Sequence, residues 1–359
     1  MEGMSEKVIY ILPKYDDKTD THLFYNYELI RAASSAIDIY AVIENAVSPI
    51  NLNVPFLVQK HKKGIARFFE LYFILRRLKK EGYNNIYVHY SYYGALAGWL
   101  ARLRVSYWNC GMPWLFRRGF FEERCFRFIL RHTTLVTGSK SLAEEYVKHF
   151  RVRKWKIVSN WVDAGRFLPK ESKEATKSWF GIKGSTKLIL FVHHLSERKG
   201  ADLLVPIISY IRDSDAVLFV VGDGPYRESL EAEALGSHIP VKVIGPVPNR
   251  DMVAYYQAAD AFLMPSREEG VPHSLLEAMA AGTPFVASDV GGVRDIAPAG
   301  FEEFLIKPGD VAEFGKKIRK LLADEELYDK FRKAGLEFAE KFGKEREVRE
   351  FISLFNTEN

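Results

Sequence analysis

The chain has 359 residues, 47% of them apolar and 27% charged, with a formal net charge of +5. That length accommodates two domains with separate cores, and the composition excludes a disordered, collagen-like or disulfide-framed chain. Cys110 and Cys125 lack metal-ligand spacing and point to a reducing, cytoplasmic compartment. The N-terminus shows no basic region followed by an apolar core, and no apolar stretch reaches membrane-spanning length, so neither export by an obvious signal nor membrane integration is expected. Charge is uneven. Residues 1–160 carry 25 Lys and Arg against 14 Asp and Glu, a balance of +11, which favours an anionic partner, whether a membrane surface, a phosphate or a nucleic acid.

The first strand is expected over Lys7 to Leu12, followed by a polar loop, Lys14 to His22, and a helical stretch to about Ser35. Ile37 to Ile43 reads as a strand, 65–80 as a helix with its basic residues gathered at the C-terminal end, and Ile86 to His89 as a strand. Tyr93 to Leu103 reads as a helix and Ser106 to Asn109 as a strand. The segment Trp114 to Arg131 is basic and aromatic. If it is helical throughout, Arg117, Arg124, Arg127 and Arg131 form one stripe. Leu135 to Thr137 is a short strand leading to a helix start at Ser139. After a connection near Ile157 to Pro169 the alternation restarts. Strands are expected at Leu188 to Val192, Ala216 to Val221, Val241 to Ile244 and Asp260 to Pro265, with helices at Ala201 to Ile211, Tyr226 to Leu235 and Met252 to Ala258. Asp213-Ser214-Asp215 has metal-binding D-x-D spacing but sits among ordinary turn residues.

The most informative stretch is Glu269 to Gly292, EGVPHSLLEAMAAGTPFVASDVGG. LLEAMAA consists of strong helix formers, Ser274 is placed to cap the helix, and Glu277 would complete a capping box. Gly282 and Pro284 are placed to end it before a strand at Phe285 to Ser288. Helix starts and glycine-rich turns favour phosphate, because their N–H groups lack acceptors within the helix. Glu269 and Glu277 flank this helix start. On spacing alone they are equally well a solvated turn residue and the partner of a cap.

This stretch resembles the E-x7-E region of family 4 glycosyltransferases, retaining enzymes of GT-B fold that use nucleotide sugars. The resemblance runs from Ile157 to Glu340 and includes the N-G-V-D…R-F hinge, with Trp161 at the usual glycine. It implies two Rossmann-like parallel-sheet domains with an interdomain cleft: residues 1–160 on the acceptor side, 161–343 binding the nucleotide sugar, and a terminal helix of about 344–359 packing back on the first domain. It also implies transfer of a sugar from a nucleotide diphosphate donor to a hydroxyl of a glycan or lipid-linked acceptor, with no metal or other cofactor and no nucleic acid partner. Glu269 is then expected at the sugar, Glu277 at the ribose, and Lys199 at the pyrophosphate. His194, Arg198, Gly222, Gly224 and the 271–274 turn (Val271, Pro272, His273, Ser274) line the donor. The H-L-S-E-R-K-G turn is similar to the family's G-R-L-x-x-x-K-G, with His194 in place of arginine. The first domain departs further. Cys110-Gly111 stands where the family has His-Gly, leaving Asn109 as the group nearest the sugar. A nucleotide-sugar epimerase and a non-catalytic nucleotide-sugar binder fit the same fold.

Overall fold

The computed structural model describes residues 6–16, 23–169 and 171–356. Most of the polar loop expected over Lys14 to His22 therefore lies outside the described residues, as do the last three positions of the terminal segment. The chain divides into two compact units, Met1–Ser159 with Lys344–Asn359, and Asn160–Gly343.

The first unit is built on parallel strands β1 (Lys7–Leu12), β2 (Asp38–Ile43), β3 (Phe56–Val58), β4 (Asn85–His89), β5 (Arg104–Trp108), β6 (Thr134–Thr137) and β7 (Trp155–Ile157), in the spatial order 3-2-1-4-5-6-7. The central strands β1 and β4 are buried along almost their whole length, as in a sheet covered on both faces. The edge strands β3 and β7 have three residues each, too short to leave a sequence signal. Helix Lys344–Ser353 belongs to this unit, where Phe351 packs its ring 5.0 Å from Tyr87 and Lys344 reaches Glu28 at 2.8 Å.

The basic segment departs from the continuous helix. A 3-10 turn spans Pro113–Leu115, and the helix begins only at Phe120, after Gly119, and runs to His132. Arg117 therefore lies outside the stripe, which retains Arg124, Arg127 and Arg131. Among the described residues, no helix is long and apolar enough to cross a membrane.

The second unit carries β8 (Lys187–Val192), β9 (Ala216–Val221), β10 (Val241–Gly245), β11 (Ala261–Met264), β12 (Phe285–Ser288) and β13 (Leu305–Ile306), all parallel, in the order 10-9-8-11-12-13. This is the doubly wound order, and its direction reverses between β8 and β11. The helix expected over Ala201 to Ile211 is instead a 3-10 turn, a short α-helix Leu204–Ile208 and a second 3-10 turn. Pro206, which has no N–H to donate, lies in that short helix.

Candidate functional site

The crevice beyond the carboxyl ends of β8 and β11 is where an open parallel sheet of this order presents ligand groups. Three chain segments converge there: the turn after β8 (193–200), the turn after β9 (222–225) and the segment after β11 (266–274). Glycines set how closely they approach. A Cβ on Gly222 would collide with the His193 carbonyl, and one on Gly224 with the Leu195 carbonyl. Gly200 (φ +73°) lies on the Pro265 carbonyl, and Gly291 (φ +54°) on that of Glu269. Each position requires glycine for want of space, and Gly200, Gly291 and Gly222 (φ +134°) also for their positive φ.

Glu269 is buried at the centre. One carboxylate oxygen, Oε2, lies 3.0 Å from the Lys199 ammonium, and the other, Oε1, lies 2.9 Å from His193 Nε2. Burial alone would raise this carboxyl. The Lys199 charge, His193 and the Ser266 hydroxyl outweigh it and hold Glu269 well below the usual carboxylate range, ionised at any working pH. Lys199, itself buried, also donates to the Glu268 carbonyl at 2.8 Å, so its position is fixed from two sides. Arg198 points to a different partner. Its half-exposed guanidinium meets the buried Glu268 carboxylate at 3.3 Å.

His194 is exposed, and its ring lies against Gly224. The imidazole that reaches the carboxylate is that of His193, one residue earlier. Sequence reasoning missed it because the contact joins the ends of two strands far apart in the chain.

The helix after Glu269 runs His273–Ala280, with Pro272 before it and no side-chain cap. The capping box expected of Ser274 and Glu277 does not form. Glu277 turns into the unit, where it accepts from the Tyr256 hydroxyl at 2.8 Å and from Asn249 at 3.4 Å. Asn249 is in turn held by Arg166 of the hinge, whose guanidinium reaches its side-chain oxygen at 2.6 Å and its carbonyl at 2.9 Å. Asn160 donates to the Val271 carbonyl, and His273 Nδ1 lies 3.1 Å from the Trp161 carbonyl, so the hinge also anchors the helix start. With no capping side chain, the first-turn amides around Ser274 have no acceptor within the helix. Gly282 (φ +71°) ends the helix as the sequence indicates, with the Thr283 N–H returning to the Ala278 carbonyl at 2.8 Å.

Asn109 lies in the first unit, where its amide is committed to a buried network. It donates to the Tyr107 hydroxyl at 3.1 Å and accepts from Tyr146 at 2.8 Å and from the Gly111 N–H at 3.0 Å. Asp215, the second carboxylate of the D-x-D, accepts from Thr186 at 3.1 Å at the turn into β9.

Residues 172–338 match the family described as Glycosyl transferases group 1. Over 185 residues the chain is 33% identical to the sulfoquinovosyl transferase SQD2 of Arabidopsis thaliana, covering 50% of this chain and 36% of that protein. The chain spans about half the length, or less, of the curated relatives it matches first. Two solved structures share the fold along the whole chain. Sucrose-phosphate synthase of Thermosynechococcus elongatus has a TM-score of 0.82 at 20% identity, covering 98% of both chains. HepE of Anabaena, in complex with UDP and glucose, has a TM-score of 0.80 at 16% identity, covering 97% of this chain and 99% of its own. The chain has the GT-B fold, and residues 172–338, within the unit that carries Glu269 and Lys199, match the glycosyl transferases group 1.

Proposed function

We propose that the protein is a retaining, metal-independent glycosyltransferase that moves a sugar from a nucleotide diphosphate donor to a hydroxyl of a glycan or lipid-linked acceptor. The observation that carries this reading is the buried contact of Lys199 with Glu269 at the switch point of the second sheet. A buried ion pair adds little to stability, because desolvating two charges offsets their attraction, and that favours a chemical reason for keeping it. Glu269 then accepts hydroxyls of the donor sugar, while Lys199 faces the departing diphosphate. The amides of 271–274 add hydrogen-bond donors where charge develops on the leaving phosphate oxygen. Glu277 takes the ribose hydroxyls. Gly222 and Gly224 admit the nucleotide close to the backbone, with His194 and Arg198 at the edge of the phosphate site. The complex of HepE with UDP and glucose supports a donor of this class.

The first unit takes the acceptor side of this reading. Its exposed apolar side chains Ile65, Phe73, Phe120 and Phe121 lie on basic helices, which favours an acceptor at an anionic membrane surface.

The test is a thermal-shift screen of UDP-, GDP- and ADP-glucose, followed by product analysis with the donor that stabilises the protein most. Transfer to an added hydroxyl acceptor with retained anomeric configuration, abolished in Glu269→Gln, is the expected result. Release of a free altered sugar without acceptor would identify an epimerase, and saturable donor binding without turnover a non-catalytic binder.

A further inference from the structure

His193 stands directly after β8, at the position where the turn it resembles carries the first glycine of G-R-L-x-x-x-K-G. A glycine there would present nothing to Glu269, whereas here an imidazole reaches it. The tautomer follows from the ring's two contacts. Nδ1 lies 2.8 Å from the backbone N–H of His194, which can only donate, so Nδ1 is the acceptor and carries no proton. The neutral ring therefore has its proton on Nε2, which lies 2.9 Å from Glu269 Oε1 but off the direction of a hydrogen bond, so Oε1 has no hydrogen-bond partner among the described residues. Burial pushes the imidazole below its ordinary value. The nearby charges of Lys199 and Arg198 act in the same direction, against the pull of Glu269, and keep the ring neutral. The His193 backbone is fixed as well, by its N–H on the Val221 carbonyl at 3.1 Å and by the close approach of Gly222.

We propose that His193 is a positioning residue for Glu269: the ring at 2.9 Å from one carboxylate oxygen, with Lys199 at 3.0 Å from the other, sets the carboxylate plane in which the donor sugar is met. A group held close to each oxygen restricts rotation of the carboxylate, and Oε1, which completes no hydrogen bond among the described residues, keeps its acceptor capacity for a sugar hydroxyl. Lys199 alone would hold one oxygen and leave the carboxylate free to turn. The inference rests on the reading of Glu269 as the carboxylate on the sugar side.

The experiment compares His193→Ala, His193→Gln and Glu269→Gln with wild type, using UDP-, GDP- and ADP-glucose and the corresponding free diphosphates as probes. Long-range ¹H–¹⁵N spectra of the wild-type histidines report the tautomer. The expected spectrum assigns His193 a protonated Nε2 and an unprotonated Nδ1. In His193→Ala, kcat falls about 10-fold or more, and the extra stabilisation by the sugar nucleotide over its free diphosphate is lost. Affinity for the free diphosphate stays at the wild-type value. In His193→Gln, whose amide N–H reaches toward the same oxygen, much of both effects is recovered. A His193 ring protonated at Nδ1 overturns the inference. So does His193→Ala with wild-type kcat and sugar increment alongside an inactive Glu269→Gln, a pattern that leaves the proposed function standing. Wild-type activity in Glu269→Gln overturns the proposed function itself.

Discussion

The Tyr256 hydroxyl donates to Glu277 at 2.8 Å inside the second unit, so the second carboxylate of the E-x7-E pair is anchored from behind by the core and not by its own helix start. Asn249 approaches the other oxygen at 3.4 Å, which links Glu277 to Arg166 in the hinge. A carboxylate held by two donors retains acceptor sites for ribose hydroxyls, and its charge is part of their affinity.

Two substitutions separate these roles. Glu277→Gln keeps an acceptor for Tyr256 but removes the charge, and donor affinity should fall about tenfold with a stability loss of about 1 kcal/mol. Tyr256→Phe removes the anchoring hydroxyl, and stability should fall by about 1–2 kcal/mol while donor affinity changes much less. Calorimetric binding of the best donor, with denaturant unfolding of both variants, measures the two effects. Wild-type donor affinity in Glu277→Gln would reduce Glu277 to an acceptor for a core tyrosine.

A second prediction concerns Glu347, on the terminal helix of the first unit. This carboxyl is buried, and its Oε2 has no hydrogen-bond partner among the described residues. Burial, reinforced by Glu350 and opposed by Lys344, pushes it well above its ordinary value of 4.5. The sign follows from linkage. A carboxyl whose folded-state pKa is raised binds its proton more tightly in the folded protein, so its contribution is favourable below the unfolded value. That contribution is lost as pH rises toward the folded value, at up to about 1.4 kcal/mol per pH unit. Glu347→Gln removes the titration. Its Tm relative to wild type should be near zero or negative at pH 4.5 and clearly positive at pH 8. A Tm difference independent of pH would show that Glu347 does not titrate in this window.

The parts of the fold that rest on local signals were legible in the sequence. Met252–Ala258 and Phe285–Ser288 have their expected boundaries, because an apolar pattern and a turn residue at each end define them. Gly282 ends its helix for the same local reason. What depends on partners distant in the chain was not legible. Ser274 and Glu277 have the spacing of a capping box, yet Tyr256 and Asn249 draw Glu277 inward and the cap is not made. His193 looks like a spare turn histidine beside His194 until β8 and β11 are paired, which brings its ring to Glu269. Asn109 looks free to meet a sugar until Tyr107 and Tyr146 are placed around it.

The proposed mechanism also predicts an outcome with chelators. Lys199 and the first-turn amides supply positive charge and donors for the diphosphate, and Asp215 of the D-x-D is engaged by Thr186 at a turn into β9. Transfer activity should be unchanged in excess EDTA. Loss of turnover on chelation, restored by magnesium or manganese, would reassign the diphosphate to a metal and leave Lys199 with Glu269 alone.

The last prediction concerns the outer face of the first unit. Helix Phe120–His132 starts with Phe120 and Phe121, exposed at 70% and 85%, and Arg124 lies 5.6 Å from the Phe120 ring. Helix Gly64–Lys80 adds Ile65 and Phe73, exposed at 75% and 66%, with Arg77, Lys79 and Lys80 in its last turn. Aromatic side chains beside arginines suit the boundary of an anionic bilayer, where rings enter the headgroup layer and the cations meet phosphate. Arg127 is a poor probe of this face, because it pairs with Glu123 at 2.6 Å and donates to the His149 carbonyl, so replacing it perturbs the fold. Arg124 and Arg131, both exposed on that helix, are the better pair. Wild type should sediment with phosphatidylglycerol vesicles, not with phosphatidylcholine vesicles, and less as salt is raised. Arg124→Glu with Arg131→Glu should bring sedimentation to background, and Phe121→Ser should lower it, without a change in Tm. Equal sedimentation of wild type and the arginine variant, both at background, would remove the membrane from the acceptor side and leave a soluble glycan as the acceptor to test.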